Sequence, residues 1–233
     1  MSSNEETPQV PDFRQFEEVL PGSLFERLAR AVRSVGDERL EKNYTTTFWY
    51  PIGAVPTNIA EESIVELCRL VNPPASCSGV EWWLGRLGVG EKLRYHFDRD
   101  MMVKKRTGNF VHPLYASILY LNSFPSSPTV ILNQVPTSDG KSRNPPKPTA
   151  RESVNAVSNR YIVFPGNLRH GVIPDKTGQT APTSERRLTL LVNYWVKRPL
   201  PPICFDYNGE LYGRLQEASV FDANRRMLGL GAI

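Results

Sequence analysis

The hydrophobic rhythm of the chain changes near residue 80. Before that point apolar residues recur at helical spacing. Leu24, Phe25, Leu28 and Val32 follow Pro21-Gly22-Ser23 and run up to Gly36, and Ile59, Ile64, Val65, Cys68 and Val71 form a second stripe that Pro73-Pro74 ends. This predicts two helices, the first N-capped by Ser23, the second starting at Thr57 or Asn58. Between them residues 44–50, rich in β-branched and aromatic side chains, read as a strand. Beyond residue 80 the runs are short and apolar or alternating, with Gly, Pro, Asn and Ser between them: 80–87, 92–98, 114–121, 129–134, 160–164 and 187–196. Six such runs with no β-α-β alternation predict a mainly β fold, an antiparallel sandwich or barrel behind N-terminal flanking helices.

The connections add detail. Residues 1–12 read as a solvated tail and 13–233 as one domain, with a helical part (13–79), a β core (80–198) and a C-terminal extension (199–233) that has helical potential over 210–227. Residues 136–153 form a long polar, Pro-rich loop, either a surface insertion or a lid, and 174–185 form a shorter one of similar character. Lys141, Arg143, Lys147 and Arg151 make the longer loop basic, which suggests a substrate with a carboxylate or phosphate.

Composition narrows the classes. With 40% hydrophobic and 22% charged residues the chain is globular rather than disordered. Twenty prolines favour strands and loops over a bundle. The net charge of +4 comes from scattered residues, not basic blocks, so nucleic acid is not the expected partner. The three cysteines lack CxxC spacing, which argues against a disulfide framework or a structural zinc. No apolar run approaches the roughly 18 residues of a membrane span, and the N-terminus lacks a basic and then apolar leader. A reducing, cytoplasmic setting is the expectation.

Only three histidines are present: His96, His112 and His170. In Arg94-Tyr-His96-Phe-Asp98 an imidazole and a carboxylate two apart on a strand share a face. His170, beyond the 160–164 run, supplies a third donor from another strand. Two imidazoles and one carboxylate with open positions make the facial arrangement of non-haem Fe(II) oxygenases. Arg94 has the parity of His96 and so shares its face. Arg187 and Thr189 pair a guanidinium fork with a hydroxyl, suited to a carboxylate, although Arg186 next door leaves open which arginine faces inward. Tyr120 and Asn133 are further candidate donors. His112 reads as a loop histidine, and Trp82-Trp83 as core or rim.

The ordered series His96-x-Asp98, residues 115–122, residues 129–133, Tyr161-Ile-Val-Phe-Pro-Gly-Asn-Leu-Arg-His170-Gly-Val and Arg187-Leu-Thr189 resembles the Fe(II)/2-oxoglutarate-dependent dioxygenases, most closely their prolyl-hydroxylase-like branch. The likeness covers about residues 80–198. Arg187 follows His170 by 17 residues, a longer separation than in the family pattern, and that branch often has Lys at the position of Arg187. The resemblance implies a double-stranded β-helix (jelly-roll) core, Fe(II) held by His96, Asp98 and His170, and 2-oxoglutarate held by Arg187 and Thr189. It also implies hydroxylation of an unactivated C–H of a small molecule or peptide, with O2 consumed and succinate and CO2 released. Two other classes remain: a non-catalytic metal-binding jelly-roll, and a metal-dependent hydrolase using Asp100 or Glu91 as general base.

Overall fold

The structure is a computed structural model that describes residues 9–174, 182 and 184–219. Its N-terminal part holds β1 (Arg14–Phe16), α1 (Gly22–Val35), α2 (Asp37–Lys42), β2 (Phe48–Pro51) and α3 (Ile59–Val71). Then follow β3 (Gly79–Gly88), β4 (Leu93–His96), α4 (Met101–Thr107), β5 (Tyr115–Tyr120), β6 (Phe124–Leu132), β7 (Val135–Pro136) and β8 (Arg143–Asn144). The chain continues through β9 (Arg151–Ala156), β10 (Tyr161–Pro165), β11 (Arg169–Val172), β12 (Arg186–Trp195) and, after two short 3₁₀ turns, α5 (Gly213–Glu217).

Two antiparallel sheets face each other. The larger has the order β1-β10-β5-β12-β3-β2 and the smaller β4-β11-β6-β9. The chain changes sheet after nearly every strand: β3, β5, β10 and β12 lie in one and β4, β6, β9 and β11 in the other. That interleaving is a double-stranded β-helix, the jelly-roll that the resemblance implied and one form of the sandwich or barrel that the run of short strands predicted.

The helices form a third layer on the outer face of the larger sheet. Phe25, Leu28, Ala29 and Val32 of α1 and Ile64, Leu67 and Val71 of α3 pack on Val80, Trp82 and Leu84 of β3 and Leu188, Leu190, Val192 and Tyr194 of β12. A second cluster, with Ile118, Tyr120, Ile131, Val154, Ile162 and Phe164, fills the space between the sheets. The central strands are therefore buried on both faces, which is why β12 reads as a nearly continuous apolar run rather than an alternating one. Each fully buried Leu, Ile or Val here contributes about 1.5–3 kcal/mol, so Leu28→Ala, at 0% exposure, removes about 2–5 kcal/mol.

Local chemistry sets the helix ends. Asn58 caps α3, its Oδ1 accepting from Ala60 N and Glu61 N at 3.0 and 3.1 Å. Asn72, with φ +49°, ends the same helix just before Pro73. The expected Ser23 cap is absent: α1 starts at Gly22 behind Pro21 with no side-chain cap. The strand expected over 44–50 is confined to Phe48–Pro51, because the α2 helix takes the chain up to Lys42 and residues 43–45 turn. The short helices α2 and α4 were not legible, since neither carries an apolar stripe.

The tail assignment is corrected at its inner end. Val10 is buried in the inter-sheet cluster, and β1 adds an edge strand to the larger sheet. Within 136–153, β7 and β8 form a small ribbon. Gln134 Nε2 donates to the carbonyls of Pro145 and Pro146, and Asn133 holds Thr149 and Ala150. Most of the 174–185 loop and residues 220–227 of the expected C-terminal helix lie outside the described residues. Among the described residues no helix is long and apolar enough to cross a membrane.

Candidate metal centre and anion pocket

A cavity of ≈ 370 Å³ opens between the sheets. His96 on β4 and His170 on β11 are directly opposite partners in the antiparallel ladder, so their rings meet with centroids 4.4 Å apart. Each imidazole is held by its own backbone two residues upstream. Nδ1 of His96 lies 2.9 Å from Arg94 O and Nδ1 of His170 lies 3.0 Å from Leu168 O. A carbonyl only accepts, so Nδ1 carries the proton in both rings and Nε2 is left with its lone pair facing the cavity. Asp98 closes the triangle. Its Oδ1 is 3.5 Å from His96 Nε2 and its Oδ2 is 3.7 Å from His170 Nε2. The three ligand atoms lie within 4.8 Å of one another.

Strand parity is not what brings Asp98 in. β4 stops at His96, and Asp98 sits on the extended stretch before α4. Two neighbours hold that stretch: Asn193 Nδ2 donates to Asp98 Oδ2 at 3.0 Å, and His112 Nδ1 donates to the Asp98 carbonyl. Parity also fails for Arg94. Between His170↔His96 and Val172↔Leu93, β11 advances two residues and β4 three. This bulge puts Leu93, not Arg94, on the cavity face, and Arg94 is exposed. The bulge sets the residue opposite it: a Cβ on Gly171 would lie 2.7 Å from Leu93 O and 3.1 Å from Tyr95 N.

The electrostatics favour an ionised carboxylate between imidazoles. Burial alone would raise the Asp98 pKa, but His170, His96 and the Asn193 amide outweigh it and hold the carboxyl down at about 2. Burial depresses His170 despite the pull of Asp98. For His96 the burial penalty is overcome by Asp98, and its pKa rises.

The other end of the cavity holds a buried arginine. Arg187 is 4% exposed and forms no ion pair with a carboxylate among the described residues. Its guanidinium donates to Thr129 Oγ1 and lies 5.1 Å from the Tyr120 ring centroid, while its buried Nε has no partner. Tyr120 OH also donates to Thr129 Oγ1, at 2.8 Å. That hydroxyl oxygen accepts twice, which leaves its own proton to point elsewhere. Thr189 lines the same region opposite Gly85, where a Cβ would lie 2.3 Å from Thr189 Oγ1. The glycine therefore keeps open the space beside the hydroxyl. A buried, unpaired guanidinium is costly, and an unpartnered Nε beside two hydroxyls fits a bound carboxylate.

The arginine ambiguity resolves. Arg187 faces the cavity, whereas Arg186 pairs with Asp37 at 3.0 Å on the outer side. Tyr120 supports Thr129 and Arg187 from behind rather than lining the cavity. Asn133 is not a cavity residue, because its amide is engaged by Thr149 and Ala150. Trp82 lies in the helix-side core, stacked on Phe48, while Trp83 lines the cavity. The basic loop contributes no lining residue. Neither suggested general base is free: Asp100 caps α4 through Met102 N and Val103 N, and Glu91 is bound by Arg86 and Gly88 N. Sequence reasoning missed Thr129, Asn193 and Glu81. Asn193 was findable, since it continues the two-residue series of Arg187 and Thr189 along β12.

No family model and no curated protein matches the chain. Solved structures do resemble it in overall shape. A Pseudomonas putida prolyl-4-hydroxylase gives a TM-score of 0.49 at 18% identity, over 78% of this chain and 87% of that one. A Burkholderia pseudomallei oxidoreductase of the 2OG-Fe(II) oxygenase family gives 0.49 at 11%, over 82% and 88%. The viral collagen prolyl hydroxylase of Paramecium bursaria Chlorella virus-1 gives 0.46 at 14%, over 84% and 97%. Fold and site together define a double-stranded β-helix protein with a His-x-Asp…His donor set beside a buried arginine that has no carboxylate partner among the described residues.

Proposed function

We propose that the chain is a non-haem Fe(II)- and 2-oxoglutarate-dependent oxygenase that hydroxylates a small molecule or peptide. One observation carries this reading: two imidazole Nε2 atoms and an ionised carboxylate converge in a cavity that also buries a guanidinium with no carboxylate partner among the described residues. The two-nitrogen, one-oxygen donor set suits Fe(II) and leaves positions for a chelating cosubstrate. When bound, iron and 2-oxoglutarate supply the oxidising chemistry, consuming O2 and releasing succinate and CO2 as a substrate C–H becomes C–OH.

The chain's own part is placement. The Nδ1–H bonds to Arg94 O and Leu168 O aim the imidazoles at the metal position. Asn193 orients Asp98. Arg187, Thr189 and Thr129 would receive the distal carboxylate of 2-oxoglutarate, the guanidinium as a fork and the hydroxyls as single donors. Ile118, Phe164 and Leu191 line the cavity with apolar surface and limit water.

The test is anaerobic addition of Fe(II) and 2-oxoglutarate to the full chain, followed by visible absorption. The expected result is the charge-transfer band of the chelate, lost in His96→Ala and Asp98→Ala. A folded wild-type protein that gives no band would sink the reading.

A further inference from the structure

The cavity wall holds a carboxyl group that the proposed oxygenase chemistry does not use. Glu81 and Trp83 are two apart on β3 and face the cavity together, while Trp82 between them points into the helix-side core. In the β3–β12 ladder Glu81 stands opposite Asn193, the residue that holds Asp98. It therefore lies beside the metal-ligand end, six residues of β12 away from the Arg187 end. Tyr44, Thr45 and Thr47 line the cavity from the connection between α2 and β2. No Lys, Arg or His forms an ion pair with Glu81 among the described residues. Its neighbours are the Thr47 hydroxyl, the Trp195 indole and the charges of Asp98 and Asp100. Trp195 is 2% exposed and lines the cavity too, and its Nε1 has no hydrogen-bond acceptor in good geometry.

A half-buried carboxyl with no basic partner among the described residues, in a cavity that Trp83 and Tyr44 also line, is the chemistry that receives an ammonium group. The carboxylate supplies the counter-charge, and the rings supply cation–π attraction. From this arrangement we infer that the molecule acted upon carries a protonated amine, seated between the Glu81 carboxylate and the Trp83 ring. The inference rests on the oxygenase reading for the direction of the cavity: the distal carboxylate of the cosubstrate takes the arginine end, so the substrate takes the opposite one. On the same reading, iron, Asp98, the cosubstrate dianion and Arg187 balance in charge, and Glu81 is the group left for a substrate cation to neutralise. This is the reverse of the acidic substrate that the basic 136–153 loop suggested, and that loop does not reach the cavity.

The test is ligand-observed saturation-transfer NMR on the metal-free full chain. The probes are n-butylamine, putrescine and lysine amide, each beside its N-acetyl derivative. The amines are expected to bind, and the acetylated forms to bind about tenfold more weakly or less. Glu81→Gln, nearly isosteric, should lose the preference, and Trp83→Leu should weaken amine binding about two- to fivefold. Thermal melts of both variants report that they are folded. Equal binding of acetylated and free amines, an unchanged preference in folded Glu81→Gln, or no binding of any amine at millimolar concentration would overturn the inference. The charge-transfer band is a separate readout. Amine selectivity without the band would uphold the amine site and remove the oxygenase reading, and the band without amine selectivity would do the opposite.

Discussion

Replacing Arg187 with Met separates what the guanidinium costs the fold from what it gives the site. The side chain is 4% exposed, with one hydrogen bond to Thr129, an aromatic face beneath it and an unpartnered Nε. Burying one ion costs several kcal/mol even after relaxation. A charged hydrogen bond returns about 1.5–3 kcal/mol, and the Tyr120 contact about 0.5–2 kcal/mol. The balance leaves the burial of the guanidinium uncompensated by about 1–2 kcal/mol. Met keeps most of the apolar stem and removes the charge, so Arg187→Met should melt higher than wild type, by about 2–8 °C for a chain of this size. 2-Oxoglutarate with a redox-inert divalent metal should then raise the wild-type melting temperature but barely move the variant. Loss of one partner of a buried charge pair is worth about 2–5 kcal/mol in ligand affinity. Scanning calorimetry with and without the diacid reads both effects. A variant that melts lower than wild type and still gains stability from 2-oxoglutarate would refute the reasoning.

Other outcomes follow from the same geometry. Asn193→Val should loosen Asp98 and lower metal affinity by about 10–100-fold, measured by competition with a chromogenic chelator, with little change in fold by circular dichroism. Gly171→Ala drives a Cβ into the β4 backbone at 2.7 Å and should cost about 1–3 kcal/mol in urea denaturation; a neutral result would mean the bulge can relax. Glu81 gives a pH signature. Burial first, then the charges of Asp98 and Asp100, push its pKa from the ordinary 4.5 up to about 7. The fold thus accommodates the neutral acid, and that stability is complete below about pH 4.5 and is lost as pH rises through 7. Metal-free Glu81→Gln should therefore be more stable than wild type at pH 8, by at most about 3 kcal/mol, the work of ionising the buried acid. The advantage should shrink toward pH 4.5, and a pH-independent difference would contradict the assignment.

The sequence carried the β core well because its strands are short, apolar and punctuated, and the order of His96, Asp98, His170 and Arg187 survives folding as a shared cavity. What it hid depended on single-residue shifts. One extra residue in β4 put Leu93 in place of Arg94 at the cavity face, and no composition signal marks such a bulge. Asp98 arrived through the extended stretch before α4 and an amide contact, not through strand parity. Asn133 reads as a free donor because the bonds that occupy it reach across a loop, to Thr149 and Ala150. Glu81 was passed over because an acidic residue in an aromatic strand reads as solvent-facing until the neighbouring strand and the 43–47 turn are seen to cover it.

β12 carries Arg187, Thr189 and Asn193 on one inner edge, and it is clamped on both sides by β3 and β5. The separation between the arginine and the amide that steadies Asp98 is therefore a fixed gauge, set by backbone hydrogen bonds and not by mobile loops. Under the proposed reading, a diacid one carbon shorter or longer than 2-oxoglutarate would have to abandon either the metal position or the arginine, so selection by length would be written into a single strand.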